Sequence, residues 1–454
     1  MKYKSNVVFF PTNLTALYGM LSLAKKSANF GIKSFFMCPN TQLIPNGFEY
    51  IVLDKTSTCL SGNYAISNFR NNFYSNYIKS TKLCLLGSSK RMNQYLDKFE
   101  KISNRMQRYL NSLKPSVVYI YGDRSGIYEI AICEVCKNLN ITTVILPISY
   151  ESGVDNLFAN LVSKGYINIV PNFCKKILDY YNISYEYDNN SKKNFTYYSI
   201  SEEKAHKALG VENPNPWVLG SGSSSYVFVD SQYAYERFIN SGVDEKKLFI
   251  SGHVEHDDLF LSCSNKDQIE KFIFKKYRLV KYDPIIIVSL PHLYEHGLSS
   301  KDYQKKLHHD ILSVVCKFSK NILISLHPKM EIKVYEKLEE IYPVKVISES
   351  LKEVLPIAEF YIVGQGSNTI TWGVLAGAST LVIDWFDHTL IRFRDLKEVF
   401  WLSTHLDLSI KLNELISLNR KVVSNKGEFF TNEKYLSPFD GECVKRIFNF
   451  REFM

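Results

Sequence analysis

Residues 284–297 read PIIIVSLPHLYEHG: three isoleucines and a valine without interruption, then a serine, a leucine, a proline and a run of titratable side chains. A strand with one face in water would alternate apolar and polar residues, so this unbroken β-branched run predicts a strand buried on both faces of a parallel sheet. The same pattern recurs outward from it. Downstream lie NILISLHPK at 321–329, VKVIS at 344–348, FYIVG at 360–364 and TLVID at 380–384, separated by segments of helical periodicity. Upstream lie VVFF at 7–10, KSFFMC at 33–38, SVVYIY at 116–121, TTVILPI at 142–148 and YVFVD at 226–230. Short apolar strands alternating with helices predict an α/β fold made of βαβ units.

A length of 454 residues predicts two or three domains, and two successive α/β sheets account for the strands. The alternation breaks between residues 189 and 225, at NNSKKNFTYYS, ENPNPW and GSGSSS. The boundary between the two sheets is expected near residues 251–260. GSGSSS at 220–225 lacks the full glycine spacing of a phosphate cradle and leads into a strand, so it reads as a flexible lead-in.

Composition narrows the function classes. Hydrophobic residues at 45% and charged residues at 22% are those of a folded globular chain. An excess of 55 Lys and Arg over 46 Asp and Glu gives +9, enough to favour anionic small molecules or an acidic membrane surface and too sparse for a nucleic-acid binder. Nine scattered cysteines predict reduced thiols and a cytoplasmic protein, with Cys133 and Cys136 packed in a helix core. Pro11, Thr12 and Asn13 interrupt the first apolar run, so neither a secretion signal nor a membrane span is expected, and any membrane contact would be peripheral, on the inner face. His253 and His256 in HVEHDD lack a third ligand at matching spacing, and no metal or cofactor is expected.

Ligands of open parallel sheets bind beyond the carboxyl ends of the strands. Those ends carry Thr12 and Asn13; Asp123 and Arg124; Glu151; His292 and Glu295; His327, Pro328 and Lys329; and Gln365, Gly366, Ser367, Asn368 and Thr369. The last group opens a helix, where free N–H groups, hydroxyls and the positive end of the dipole suit a phosphate.

Taken in order, KPSVVYIYGDRSG (114–126), VILPISYESG (144–153), the stretch 231–260, IIIVSLPHLYEHG (285–297), ISLHPKM (324–330), the stretch 357–385 and SPFDGECVKRIF (437–448) resemble the GT-B superfamily of nucleotide-sugar enzymes. The resemblance implies two Rossmann-like domains with parallel sheets facing a central cleft: 1–252, in which about 156–225 finds no counterpart and reads as an insertion, and 253–436, followed by a helix over 437–454 that crosses back to the first domain. Two branches are similar: UDP-N-acetylglucosamine 2-epimerases and bacterial glycosyltransferases of surface-polysaccharide synthesis, capsule and lipopolysaccharide included. Asp123 and Glu151 match the epimerases' two acids, but residues 291–296 lack their Arg-bearing motif and residues 364–371 lack their paired glutamates. His327 and Pro328, followed 40 residues later by Ser367, resemble instead the His-Pro motif of sialyltransferases and related Kdo-type transferases that use CMP-activated acidic sugars.

The resemblance thus implies a glycosyltransferase with a nucleotide-sugar donor and a glycan or glycolipid acceptor. Asp123 or Glu151 would be the base, with Thr12, Asn13 and Arg124 on the acceptor side. His327, Pro328, Lys329 and Gln365–Thr369 would hold the donor phosphate, with His292 and Glu295 beside the donor sugar. The alternatives are an epimerase or hydrolase of UDP-sugars, and a sugar-nucleotide-binding protein without turnover. Oligomeric state is left open.

Overall fold

The computed structural model describes residues 4–54, 89–124, 126–148, 168–170, 175–180, 183, 185–188, 193–211, 213–295, 299–364, 366–385, 396, 399–419, 436 and 438–450. The chain divides into two compact units, Met1–Val254 with Val444–Met454, and Glu255–Cys443.

Unit 1 contains β1 (Ser5–Phe10), β2 (Ile32–Cys38), β3 (Glu49–Val52), β4 (Val117–Ile120), β5 (Thr142–Ile145), β6 (Asn168–Val170), β7 (Tyr185–Asp188), β8 (Lys193–Thr196), β9 (Tyr226–Val229) and β10 (Leu248–Ile250). Seven of these form a parallel sheet in the order β10-β9-β5-β4-β1-β2-β3, and β6-β8-β7 form a small antiparallel sheet inside the insertion. The apolar runs place alternate residues on opposite faces. Val8, Phe10, Phe35, Met37, Val118, Ile120, Val227 and Val229 share a core with the helices Ser89–Leu113 and Gly126–Asn138. On the opposite parity Phe9 stacks against Phe36 at 5.4 Å and Tyr119 at 5.2 Å.

Unit 2 contains β11 (Ile285–Ser289), β12 (Asn321–Ser325), β13 (Val344–Val346), β14 (Phe360–Gly364), β15 (Ser379–Ile383) and β16 (Val399–Leu402), all parallel, in the order β13-β12-β11-β14-β15-β16. Ile286, Val288, Ile322, Ile324 and Ile362 pack under the helices Lys301–Val315 and His405–Asn419. Ile285, Ile287, Leu323, Tyr361 and Val363 face the other side. Both faces of the sheet are therefore covered, which is why its strands carry no polar alternation.

Both sheets are wound alike. In each, the chain lays two strands outward from the first, then returns to place the fourth on the first strand's other flank. This is the doubly wound Rossmann arrangement, with a switch point between β1 and β4 in unit 1 and between β11 and β14 in unit 2. Among the described residues, no helix is long and apolar enough to cross a membrane.

Candidate functional site

At the unit 1 switch point, the turns after β1 and β4 bring Thr12, Asp123 and Arg124 to one edge. Thr12 Oγ1 donates to Glu129 Oε1 at 2.9 Å, and the Arg124 backbone N–H donates to Glu129 Oε2 at 3.2 Å. Glu129 is 1% exposed, on the first turn of the helix Gly126–Asn138, where the dipole favours a carboxylate. Gly122 leaves room for it: an added Cβ would lie 2.8 Å from Glu129 Oε2, and the carboxylate would have to shift. Sequence reading passed over Glu129; its signal was an acid one turn into a helix that follows a glycine-bounded turn.

Asp123 is buried, and both carboxylate oxygens are engaged: Oδ1 accepts the Gly220 N–H at 3.0 Å and Oδ2 accepts the Ser224 hydroxyl at 2.8 Å. The GSGSSS segment is thus a clamped loop rather than a flexible lead-in. Lys247 Nζ holds it from behind through the Gly222 carbonyl at 2.8 Å. A Cβ on Gly222 would come within 2.6 Å of the Asp123 carbonyl oxygen, so Gly222→Ala is expected to cost about 1–3 kcal/mol by overpacking. A urea unfolding curve of unit 1 unchanged by this substitution would contradict the clamp.

Arg124 is buried as well, donating from Nη1 to the Trp217 carbonyl at 2.6 Å, while its own carbonyl accepts the Tyr198 hydroxyl at 2.6 Å. Its reach is into the insertion. Asn13 is the N-cap of the helix Leu14–Ser27, its side chain accepting the Ala16 N–H at 2.9 Å. Glu151 and Gln365 lie outside the described residues.

At the unit 2 switch point the turns after β11, β12 and β14 meet. The imidazoles of His292 and His327 lie face to face, with centroids 3.8 Å apart and planes within 9°. His327 Nδ1 accepts the Lys329 N–H at 3.2 Å, so a neutral His327 carries its proton on Nε2. Pro328 and Lys329 are exposed, and Glu295 accepts from the Gln304 amide at 3.0 Å.

The turn after β14 is braced by hydroxyls. Tyr361 is fully buried, and burial pushes its phenol up to about 12, so it remains a donor. Its OH donates to Ser289 Oγ at 3.0 Å, which leaves it to accept from Thr369 Oγ1 at 2.5 Å; Ser367 Oγ in turn lies 2.7 Å from Thr369 Oγ1. Gly366 turns the chain at φ 81, and Gly364 packs on Pro291, which a Cβ would meet at 3.1 Å. The following helix, Ile370–Leu375, has only six residues and no side-chain cap, so the dipole expected there is short. The N–H groups of Ser367 and Asn368 donate to no described group.

His253 approaches the Ile148 carbonyl at 3.4 Å in unit 1, and in unit 2 Asp257 accepts the Cys443 N–H at 3.0 Å while Asp258 pairs with Lys352 at 3.0 Å. Among the described residues, no three His, Cys, Asp or Glu side chains are grouped as metal ligands. Cys133 and Cys136 are buried in the helix Gly126–Asn138, and burial raises both thiols.

No protein-family model matches the chain, and no curated protein matches it. Solved structures do. The UDP-GlcNAc 2-epimerase of Methanocaldococcus jannaschii is similar over 99% of both chains, with a TM-score of 0.50 at 14% identity. That of Neisseria meningitidis, solved bound to UDP-GlcNAc, is similar over 99% of this chain and 100% of its own, with a TM-score of 0.51 at 11% identity. The fold is GT-B. A glycosyltransferase from Rickettsia africae is similar over 99% of this chain and 98% of its own, with a TM-score of 0.47 at 12% identity. At identities this low a likeness speaks to architecture alone, and the chemistry of the site rests on the residues themselves.

Proposed function

We propose that this GT-B chain is a glycosyltransferase that moves a sugar from a nucleotide donor to a surface glycan or glycolipid. The observation that carries the reading is the unit 2 edge, where two imidazoles stack at the same switch point as a glycine turn whose Ser367 and Asn368 N–H groups donate to no described group. The donors of such an edge suit a leaving nucleotide phosphate. Lys329 adds a positive charge, and the His-Pro resemblance makes a CMP-activated acidic sugar one donor class to test.

The acceptor hydroxyl would lose its proton to a carboxylate of unit 1, Asp123 or Glu151. Both Asp123 oxygens already accept hydrogen bonds, which favours a loop-anchoring role for it and leaves Glu151 the better base. The protein's own donors supply the positive field, so the mechanism has no step that requires a divalent ion.

The epimerase reading is the second one, favoured by the likeness to two UDP-GlcNAc 2-epimerases and opposed by the missing Arg and paired glutamates. One experiment separates them. Purified protein is incubated with UDP-, GDP- and CMP-sugars, with and without a glycan-lipid acceptor, and free nucleotide is followed by chromatography. Acceptor-dependent nucleotide release is expected, with His327→Ala weakening donor binding and Glu151→Gln lowering turnover. Sugar isomerisation without acceptor would replace transfer by epimerisation, and binding without turnover would make the chain a sugar-nucleotide-binding protein.

A further inference from the structure

The helix Lys301–Val315 packs its apolar face under the unit 2 sheet through Leu307, Ile311, Leu312 and Val315, yet two polar residues sit in phase with them. Gln304 and His308 are each 2% exposed and stand four residues apart, one turn above the other. Burying an amide and an imidazole is costly unless their polar atoms are matched, so their partners show what they are for.

Both residues reach the turn that follows β11. Gln304 Oε1 accepts the Tyr294 N–H at 2.7 Å, which fixes the orientation of the amide. Its Nε2 then donates to Glu295 at 3.0 and 3.2 Å and to the Tyr335 hydroxyl at 3.2 Å, so both amide hydrogens are used. His308 Nε2 lies 2.7 Å from the Pro291 carbonyl, an acceptor only, so this nitrogen carries the proton. The turn is therefore gripped at Pro291 on one side and at Tyr294 and Glu295 on the other. Between these grips stands His292.

We infer that Gln304 and His308 are positioning residues, which hold the Pro291–Glu295 turn so that the imidazole of His292 lies flat on that of His327. Neither touches the exposed edge. An apolar pair would fill the helix face equally well, and the polar pair instead fixes backbone one residue before and two residues after a ring whose partner belongs to the next strand. The positioning role stands on geometry alone; its consequence for a nucleotide donor rests on the function proposed above.

The test is read on the imidazoles. In NMR spectra of the full chain labelled at histidine, stacked rings shield one another, and His292→Gln and His327→Gln assign the two signals. Gln304→Met and His308→Phe keep bulk and remove the hydrogen bonds, whereas His308→Gln returns a donor to the Nε2 position. The mutual shielding is expected to disappear in the first two and to persist in the third, with cooperative thermal unfolding retained in all. Unchanged His292 and His327 signals in folded Gln304→Met and His308→Phe would overturn the inference, as would loss of shielding in folded His308→Gln. Should Gln304→Met not fold, Gln304→Glu takes its place, since it keeps the acceptor for Tyr294 and repels Glu295: displaced signals support the role and unchanged ones overturn it. Titration with UDP, GDP and CMP separates the two claims. Lost shielding with about tenfold weaker nucleotide binding supports both. Lost shielding with unchanged affinity supports the positioning role and removes the nucleotide from this edge.

Discussion

Replacing Phe450 with alanine is expected to lower the stability of unit 1 by about 3–5 kcal/mol, the cost of deleting a buried aromatic ring and leaving its cavity. Phe450 is 2% exposed, and its ring meets Tyr226 at 5.6 Å and Phe228 at 5.2 Å, both edge-on, on one face of β9. Two residues earlier Phe448 packs against Phe30 at 5.3 Å and Tyr119 at 6.1 Å. The segment is tied by polar contacts as well: the Tyr119 hydroxyl donates to the Ile447 carbonyl at 3.2 Å, and Arg446 Nε donates to the Ser251 carbonyl at 2.8 Å. The segment 446–450 thus completes a sheet face begun by Phe9, Phe36 and Tyr119, more than three hundred residues away in sequence. Because a whole domain is stable by only about 5–15 kcal/mol, this one ring is a large share of the total. Hydrogen exchange read by mass spectrometry on peptides of β4 and β9 measures it. Exchange in those peptides as slow as in the parent chain would show that the segment contributes little.

The strands were legible because their burial leaves a local mark. The runs at β11, β12 and β14 are apolar without alternation because helices cover both sheet faces, and the polar residues after each run necessarily fall at one edge. His292 and His327 could be picked out individually on that ground. Their stacking could not, since it depends on β11 and β12 being neighbours and on a grip from the helix behind. Asp123 and Arg124 show the opposite case. Both read as groups facing ligand because they follow a strand, yet Gly220, Ser224 and Trp217, about a hundred residues later, fold over them and take their hydrogen bonds. No local pattern announces such a partner. Asn13 has a local explanation, an N-cap three residues before the N–H it accepts, and Gln304 and His308 left a signal that went unread: two polar residues in phase with Leu307 and Ile311 on a buried helix face.

Acid is expected to destabilise each unit through one buried imidazole. His206, 1% exposed in the helix Ile200–Leu209, is bonded to the Tyr95 hydroxyl at 2.7 Å and faced edge-on by Tyr198 at 4.6 Å, and its Nδ1 finds no partner among the described residues. Burial lowers its pKa to about 4, and burial likewise lowers that of His308 to about 4 against the smaller opposing pull of the Pro291 carbonyl. The sign follows from proton counting. Above about pH 6.5, the ordinary value for histidine, both states of the chain hold these rings neutral and stability is complete. Below it the unfolded chain takes up a proton that the folded chain refuses, so stability falls with pH until about 4, where the folded rings protonate too. The full effect is on the order of 3 kcal/mol for each ring. Urea unfolding at pH 7 and pH 4.5, compared between the parent chain and His206→Leu, isolates it from the carboxylates, which titrate in both proteins. The variant should lose less stability than the parent over this interval, by most of that amount, in unit 1. An equal loss in the two proteins would mean that His206 is protonated in the folded chain, and that its environment is wetter than the ring contacts with Tyr95 and Tyr198 imply.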